Sequence, residues 1–273
     1  MRTGRISAGE VELFYRAFGN PGGRPILILH GANYYDSADW VQVAGALAGD
    51  REVVAYDARG FGESSWSRSK DYSVSAQLAD IAAVNDHFGW EAPVLLAHSR
   101  GALFALLYAH SFPQRVGALI LADWWPGRAT AAGAGAWGPV VDPEPEVFVT
   151  FEDALADTSR EPSSLQRPAA RARFQQLWKS VPGGYQLARR DPHFRSGAAA
   201  PGADELWAAL GRLEQPVLAI RATRSAAFDD ARVARIRAEL PRIELVELDS
   251  GHDLAQTVPG ELTSAVQQFL SGI

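Results

Sequence analysis

Four short runs of nearly unbroken apolar residues constrain this chain most. Pro25–Leu29 stops at His30, Glu52–Tyr56 at Asp57, Pro93–Ala97 just before His98-Ser99, and Val116–Ala122 at Asp123. Each is too short for a core helix and apolar on both alternating faces, as strands covered on both sides of a parallel sheet are. Apolar residues at helical spacing fill the gaps: about Asp39–Ala48, then Val74–Phe88 with Leu78, Ile81, Ala82 and Phe88, then Leu103–Ser111. A further strand, Val11–Phe18, precedes the turn Gly19–Gly23. Later, Pro216–Ile220 and Ile243–Leu248 flank a helix at Ala231–Leu240, and a last helix spans about Pro259–Leu270. Strand–helix alternation of this kind predicts an α/β fold, with a mostly parallel central sheet and helices on both faces.

Residues 126–212 break the pattern, with no strong buried strand. Trp125–Pro145 is rich in Gly, Ala and Pro, while Phe151–Ala156 and Arg167–Val181 read as helical. The expectation is a core domain from residues 1–125 and 213–273, with a helical insertion at 126–212 after the sixth core strand. The 273 residues allow one such domain with an insertion. A net charge of −6 gives no reason to expect nucleic acid or an anionic membrane as partner. The absence of cysteine excludes disulfides, thiolate metal sites and a Cys nucleophile. The six histidines are scattered, with no H-x-x-x-H pair, so neither a metal site nor a cofactor is expected. The first ten residues carry charges and no apolar core, and no run approaches a membrane span, so a cytoplasmic location is the reading. Oligomeric state is left open.

Ligands of open α/β sheets bind past the carboxyl ends of the strands. The polar residues there are His30, Asp57, Ser99, Asp123 and His252. Ser99 lies in Leu95–Ala102 between a strand and a helix, with Ala97 and Gly101 two residues to either side. This is the G-x-S-x-G elbow with Ala in the first Gly position. Small neighbours are needed because the turn is sharp, and the turn lifts the serine hydroxyl off the sheet. A hydroxyl is a poor nucleophile until a base takes its proton, and His252, between the last strand and the last helix, is the candidate base. Negative charge on a tetrahedral intermediate needs N–H donors. The loop His30-Gly31-Ala32 offers the Ala32 amide, and the residue after the nucleophile offers that of Arg100. His30 is expected to hold the loop by hydrogen bonding.

With His30-Gly31, Asp57–Ser64, His98–Gly101 and Gly251-His252 in place, the chain from about Val11 to Leu270 resembles the α/β-hydrolase fold superfamily of esterases, C–C bond hydrolases and haloperoxidase-like enzymes. The resemblance implies a serine hydrolase with an acyl-enzyme, and a cap or lid formed by the insertion. Its usual triad acid follows the seventh core strand, where this chain has Ser225 and Ala226, with Asp229 and Asp230 only further on. Asp123, at the end of the sixth strand, is favoured over Asp229 as the acid.

A second resemblance is to the cofactor-free dioxygenases that cleave 3-hydroxy-4-quinolones. Those proteins also place an Asp followed by Trp after the sixth strand, as Asp123-Trp124 does here, and lack an acid after the seventh. Their elbow has His on both sides of the Ser, whereas here Arg100 follows. In that chemistry His252 and Asp123 would act as a dyad on the substrate. A catalytically inactive, ligand-binding member of the fold is the third reading. For the substrate, Asn33, Tyr34, Trp124 and Trp125 are the expected pocket residues, with Trp178 and Trp207 expected in packing. An apolar, aromatic surround suggests a small, partly apolar molecule. Arg100 is either a site for an acidic group or a packing residue under the cap.

Overall fold

The computed structural model describes residues 1–32, 35–127, 147–150, 152–153, 168–195 and 201–273. Eight strands form the main sheet: β1 (Arg2–Ala8), β2 (Val11–Phe18), β3 (Gly23–Leu29), β4 (Arg51–Tyr56), β5 (Val94–His98), β6 (Ala118–Ala122), β10 (Val217–Ala222) and β11 (Glu244–Leu248). Their order is β1-β2-β4-β3-β5-β6-β10-β11. β2 pairs antiparallel with β1 and β4, and every other neighbouring pair is parallel.

The apolar runs divide their side chains between two cores, because successive strand residues face opposite ways. Leu27, Leu29, Val54, Leu95, Ala97, Leu119 and Leu121 join the cluster on one face. Ile26, Ile28, Val53, Ala55, Leu96, Ala118 and Ile120 join the other. Helices α2 (Val74–Phe88), α3 (Arg100–Ser111), α5 (Ala203–Arg212) and α6 (Asp230–Glu239) close the first core. The second is closed by α1 (Val41–Leu47), α7 (Leu254–Thr257) and α8 (Pro259–Ser271). Ser73 caps α2 through its hydroxyl, and Gly89 ends it in the left-handed conformation at φ 67°.

The sequence reading missed β1. Only Ile6 and Ala8 of its seven residues are buried. An edge strand with one face in water carries too few apolar residues to stand out.

The described part of the insertion corrects the expectation of a purely helical segment. Its helix α4 (Pro168–Gln175) stops there instead of continuing to Val181. Strands β7 (Val147–Phe148), β8 (Trp178–Val181) and β9 (Gly184–Leu187) form a separate antiparallel sheet in the order β7-β9-β8. The turn between β8 and β9 is Pro182-Gly183, with Gly183 at φ 92°. Proline followed by a glycine of positive φ suits a type II turn, and this signal competes with the helical spacing before it. Much of the helix expected over Phe151–Ala156 lies outside the described residues. Helix α5, assigned by sequence to the insertion, packs Leu206, Trp207, Ala209 and Leu210 into the main core.

The return segment of the insertion is fastened to the loop after β4. The Asp191 amide donates to the Gly60 carbonyl at 2.7 Å, and the Gly62 amide to the Arg189 carbonyl at 2.9 Å. Tyr72 donates its hydroxyl to the Asp191 carboxylate, which is 2% exposed.

Candidate active site

Four strand ends assemble the site. β5 runs directly into α3 through Ser99, whose backbone adopts φ 52° and ψ −123°. Such a φ is costly for a residue with a side chain and persists where the surroundings enforce it. Here the Ser99 amide donates to the Ala122 carbonyl at 3.1 Å, and the Ala102 amide to the Ser99 carbonyl at 2.9 Å. Gly101 is required by close approach, since a Cβ there would lie 2.7 Å from the carbonyl oxygens of Leu29 and His30.

Ser99 Oγ lies 3.0 Å from His252 Nε2, and His252 Nδ1 lies 2.6 Å from Asp123 Oδ2. Asp123 is fully buried at the end of β6, also at positive φ, 45°. Its second oxygen accepts from the Ala222 amide at 3.1 Å, and its own amide donates to the Ile220 carbonyl at 2.7 Å. The carboxylate accepts only, so the proton of this contact sits on His252 Nδ1. That leaves the Nε2 lone pair facing the Ser99 hydroxyl. Serine, imidazole and carboxylate therefore form one line of hydrogen bonds.

Asp229, the other acid considered from sequence, lies elsewhere. It is the N-cap of α6, accepts from the Arg232 amide at 3.0 Å and pairs with the Arg232 side chain at 2.8 Å. Ser225, where a carboxylate was looked for after β10, accepts from the Ala227 amide.

Arg100 opens α3, in the turn whose N–H groups point out of the helix N-terminus. Its guanidinium packs under the insertion, 4.5 Å from the Phe104 ring centre and 5.8 Å from that of Phe194. It also donates to the Phe194 carbonyl at 3.4 Å. The packing alternative for this side chain is the one the structure contains. Ala32 is half-buried on the loop after β3, while Asn33 and Tyr34 lie outside the described residues.

Trp124 is half-buried against the core. Trp125, expected at the pocket, is placed elsewhere. It is 3% exposed, stacks on Phe228 at 5.5 Å and meets Trp207 edge-on at 5.9 Å. Trp178 packs against Phe148 within the insertion, whereas Trp207, expected in the core of the cap, packs in the main core and donates to Glu239 at 2.7 Å.

His30 is held on both ring nitrogens. Nε2 accepts from the Ala58 amide at 2.9 Å, and Nδ1 donates to the Gly31 carbonyl at 2.6 Å. Burial pushes its pKa down to about 4. The unfolded chain binds this proton below about 6.5 and the folded chain only below about 4, so stability falls as pH drops through that window. The loss is expected to reach about 3 kcal/mol. Urea unfolding of wild type and His30→Gln from pH 4 to 7 measures it: the variant should lose less stability on acidification. Equal pH slopes would assign the acid sensitivity to another group.

An α/β sheet bearing a serine at a strand–helix elbow, hydrogen-bonded to a histidine and a buried aspartate, defines a hydrolase-type enzyme core. The chain belongs to the alpha/beta hydrolase fold family, which it matches over residues 24–255. Its named relatives are hydrolases. A 3-hydroxybutyrate-oligomer hydrolase from Cupriavidus necator is 28% identical, over 96% of this chain and 94% of its own length. A haloalkane dehalogenase from Mycolicibacterium paratuberculosis is 26% identical, over 91% and 86%. Among solved structures, a thioesterase domain from the curacin biosynthetic pathway superimposes with a TM-score of 0.78 at 21% identity, covering 98% of this chain and 99% of that one. Among the described residues, no helix is long and apolar enough to cross a membrane.

Proposed function

We propose that this hydrolase cleaves an ester-like bond (ester, lactone or activated C–C) in a small, partly apolar substrate through a Ser99-His252-Asp123 triad. The observation that carries the reading is the continuous hydrogen-bond line, 3.0 Å from Ser99 Oγ to His252 Nε2 and 2.6 Å from His252 Nδ1 to Asp123. Ser99 Oγ attacks the substrate carbonyl as its proton passes to His252 Nε2. The oxyanion is held by the Ala32 and Arg100 amides. His252 returns the proton to the leaving group, and an acyl-Ser99 remains. Water, deprotonated by the same imidazole, then releases the acid and regenerates the enzyme. Trp124, half-buried just past the end of β6, lines the substrate pocket. The relative named a 3-hydroxybutyrate-oligomer hydrolase is in keeping with an acyl substrate.

The second reading, a cofactor-free dioxygenase using the His252–Asp123 dyad, is favoured by one observation. The acid sits after β6 with Trp124 next to it, and Ser225 stands where an acid would follow β10. Intact-mass detection of fluorophosphonate labelling separates the two. Stoichiometric labelling of wild type, lost in Ser99→Ala and His252→Ala, is expected for the triad. A folded wild type that does not label overturns the acyl-enzyme and moves the test to oxygen uptake with hydroxyquinolones.

A further inference from the structure

Ser99 and His252 lie 153 residues apart in sequence and must keep their reacting atoms within hydrogen-bond distance. Asp123 orients the His252 ring but leaves the backbone beneath it to be placed by something else. His98 adjoins three of the segments involved: the elbow, the loop of His252 and the loop after β3. It is the residue before Ser99, at the end of β5. Its Nε2 lies 2.8 Å from the carbonyl oxygen of His252 itself. A carbonyl only accepts, so His98 carries its proton on Nε2 and donates it. The two imidazoles lie 4.6 Å apart, tilted by 42°. On the other side, a Cβ on Gly31 would fall 2.8 Å from His98 Nδ1, so the ring lies directly against the loop that carries Ala32. The edge-on ring of Tyr35 at 5.0 Å and that of Trp40 at 6.0 Å leave it little room to turn, and His98 is 2% exposed.

We propose that His98 is a positioning residue that anchors the main chain of the catalytic histidine, so that His252 is held at both ends. Its ring is held by Asp123 and its carbonyl by His98. The inference rests on the serine hydrolase reading for its effect on rate, though the anchor itself does not depend on turnover. The Ser250 carbonyl accepts from the Arg224 amide at 3.0 Å and the Asp253 carbonyl from the Thr257 amide at 2.9 Å, so without His98 the stretch between them, Gly251-His252, would shift and loosen the ring's contacts with Asp123 and Ser99. A displacement of about 1 Å at a reacting atom is enough to cost up to ~100-fold in rate.

The test compares full-length wild type, His98→Phe and His98→Gln. Phenylalanine keeps the ring packing and loses the donor, while glutamine supplies an amide donor of similar reach. His98→Asn, too short for the carbonyl, replaces the phenylalanine variant if that one fails to melt cooperatively. Two signals are read: the second-order rate of fluorophosphonate labelling, and the downfield proton resonance of His252 Nδ1–H. Labelling of His98→Phe is expected to slow about 10- to 100-fold, its resonance to broaden or vanish, and His98→Gln to regain most of both. A purely packing role predicts the reverse ranking, with the phenylalanine variant unaffected. Wild-type labelling and an intact resonance in His98→Phe, or a folded His98→Gln as impaired as His98→Phe, would overturn the proposal. If wild type does not label at all, the serine hydrolase reading fails, and the resonance in the three proteins alone decides for or against the anchor.

Discussion

Asp123→Asn is expected to lower turnover of p-nitrophenyl acetate by about ten-thousand-fold while leaving the fold intact. Asp123 now accepts from His252 Nδ1 at 2.6 Å and from the Ala222 amide at 3.1 Å. Asparagine keeps an oxygen for Ala222 but turns its amide group toward the imidazole. His252 must then accept on Nδ1, and its proton moves to Nε2, the atom that has to take the Ser99 proton. The base is present, in place and in the wrong tautomer. Asparagine also tolerates the positive φ of this position, 45°, better than most residues, so little stability should be lost. Thermal melting beside steady-state kinetics checks both halves of the expectation. Asp229→Asn is the matched control, because it alters the N-cap of α6 and the ion pair with Arg232. Full activity in Asp123→Asn would remove it as the acid.

The core of the fold is legible because its strands are sandwiched. Ile26–Leu29 and Leu119–Ala122 bury both faces, so burial is written as unbroken apolar runs that no surface segment would carry. The site is legible for a different reason. A strained elbow needs Ser with small neighbours, so Ser99 stands out locally, whereas a loop histidine such as His252 stands out only once it is paired with that serine. Asp123 was reached through chain order and resemblance, and its contact with His252 spans 129 residues. The place of His98 is not legible, because its partner is the backbone carbonyl of His252, which no side-chain pattern encodes. A tryptophan at a strand end reads the same whether it turns to a pocket or, as Trp125 does, to Phe228. The insertion was hardest to read, since its short strands β8 and β9 are largely half-buried or exposed and carry little apolar signal.

Gly101→Val is expected to destabilise the protein by about 3 kcal/mol or more and to impair the folded fraction as well. Gly101 is the second residue of α3, and a Cβ there would meet two backbone oxygens, of Leu29 and His30, at 2.7 Å. A side-chain neighbour could rotate away, but these carbonyls belong to β3 and its loop, in the centre of the sheet. The strain is relieved only if the start of α3 lifts off β3. That movement carries the Arg100 amide and Ser99 with it, while Asp123 stays at the end of β6 and holds the His252 ring. Overpacking therefore enters the chemistry through geometry, and labelling of the protein that remains folded should slow by about 100-fold. Gly260→Ala is the contrasting substitution. Gly260 lies in α8 with nothing within 4 Å of its added Cβ, so stability and labelling should hold or rise slightly. If Gly101→Val melts and labels like Gly260→Ala, the close approach of α3 to β3 does not set the position of Ser99.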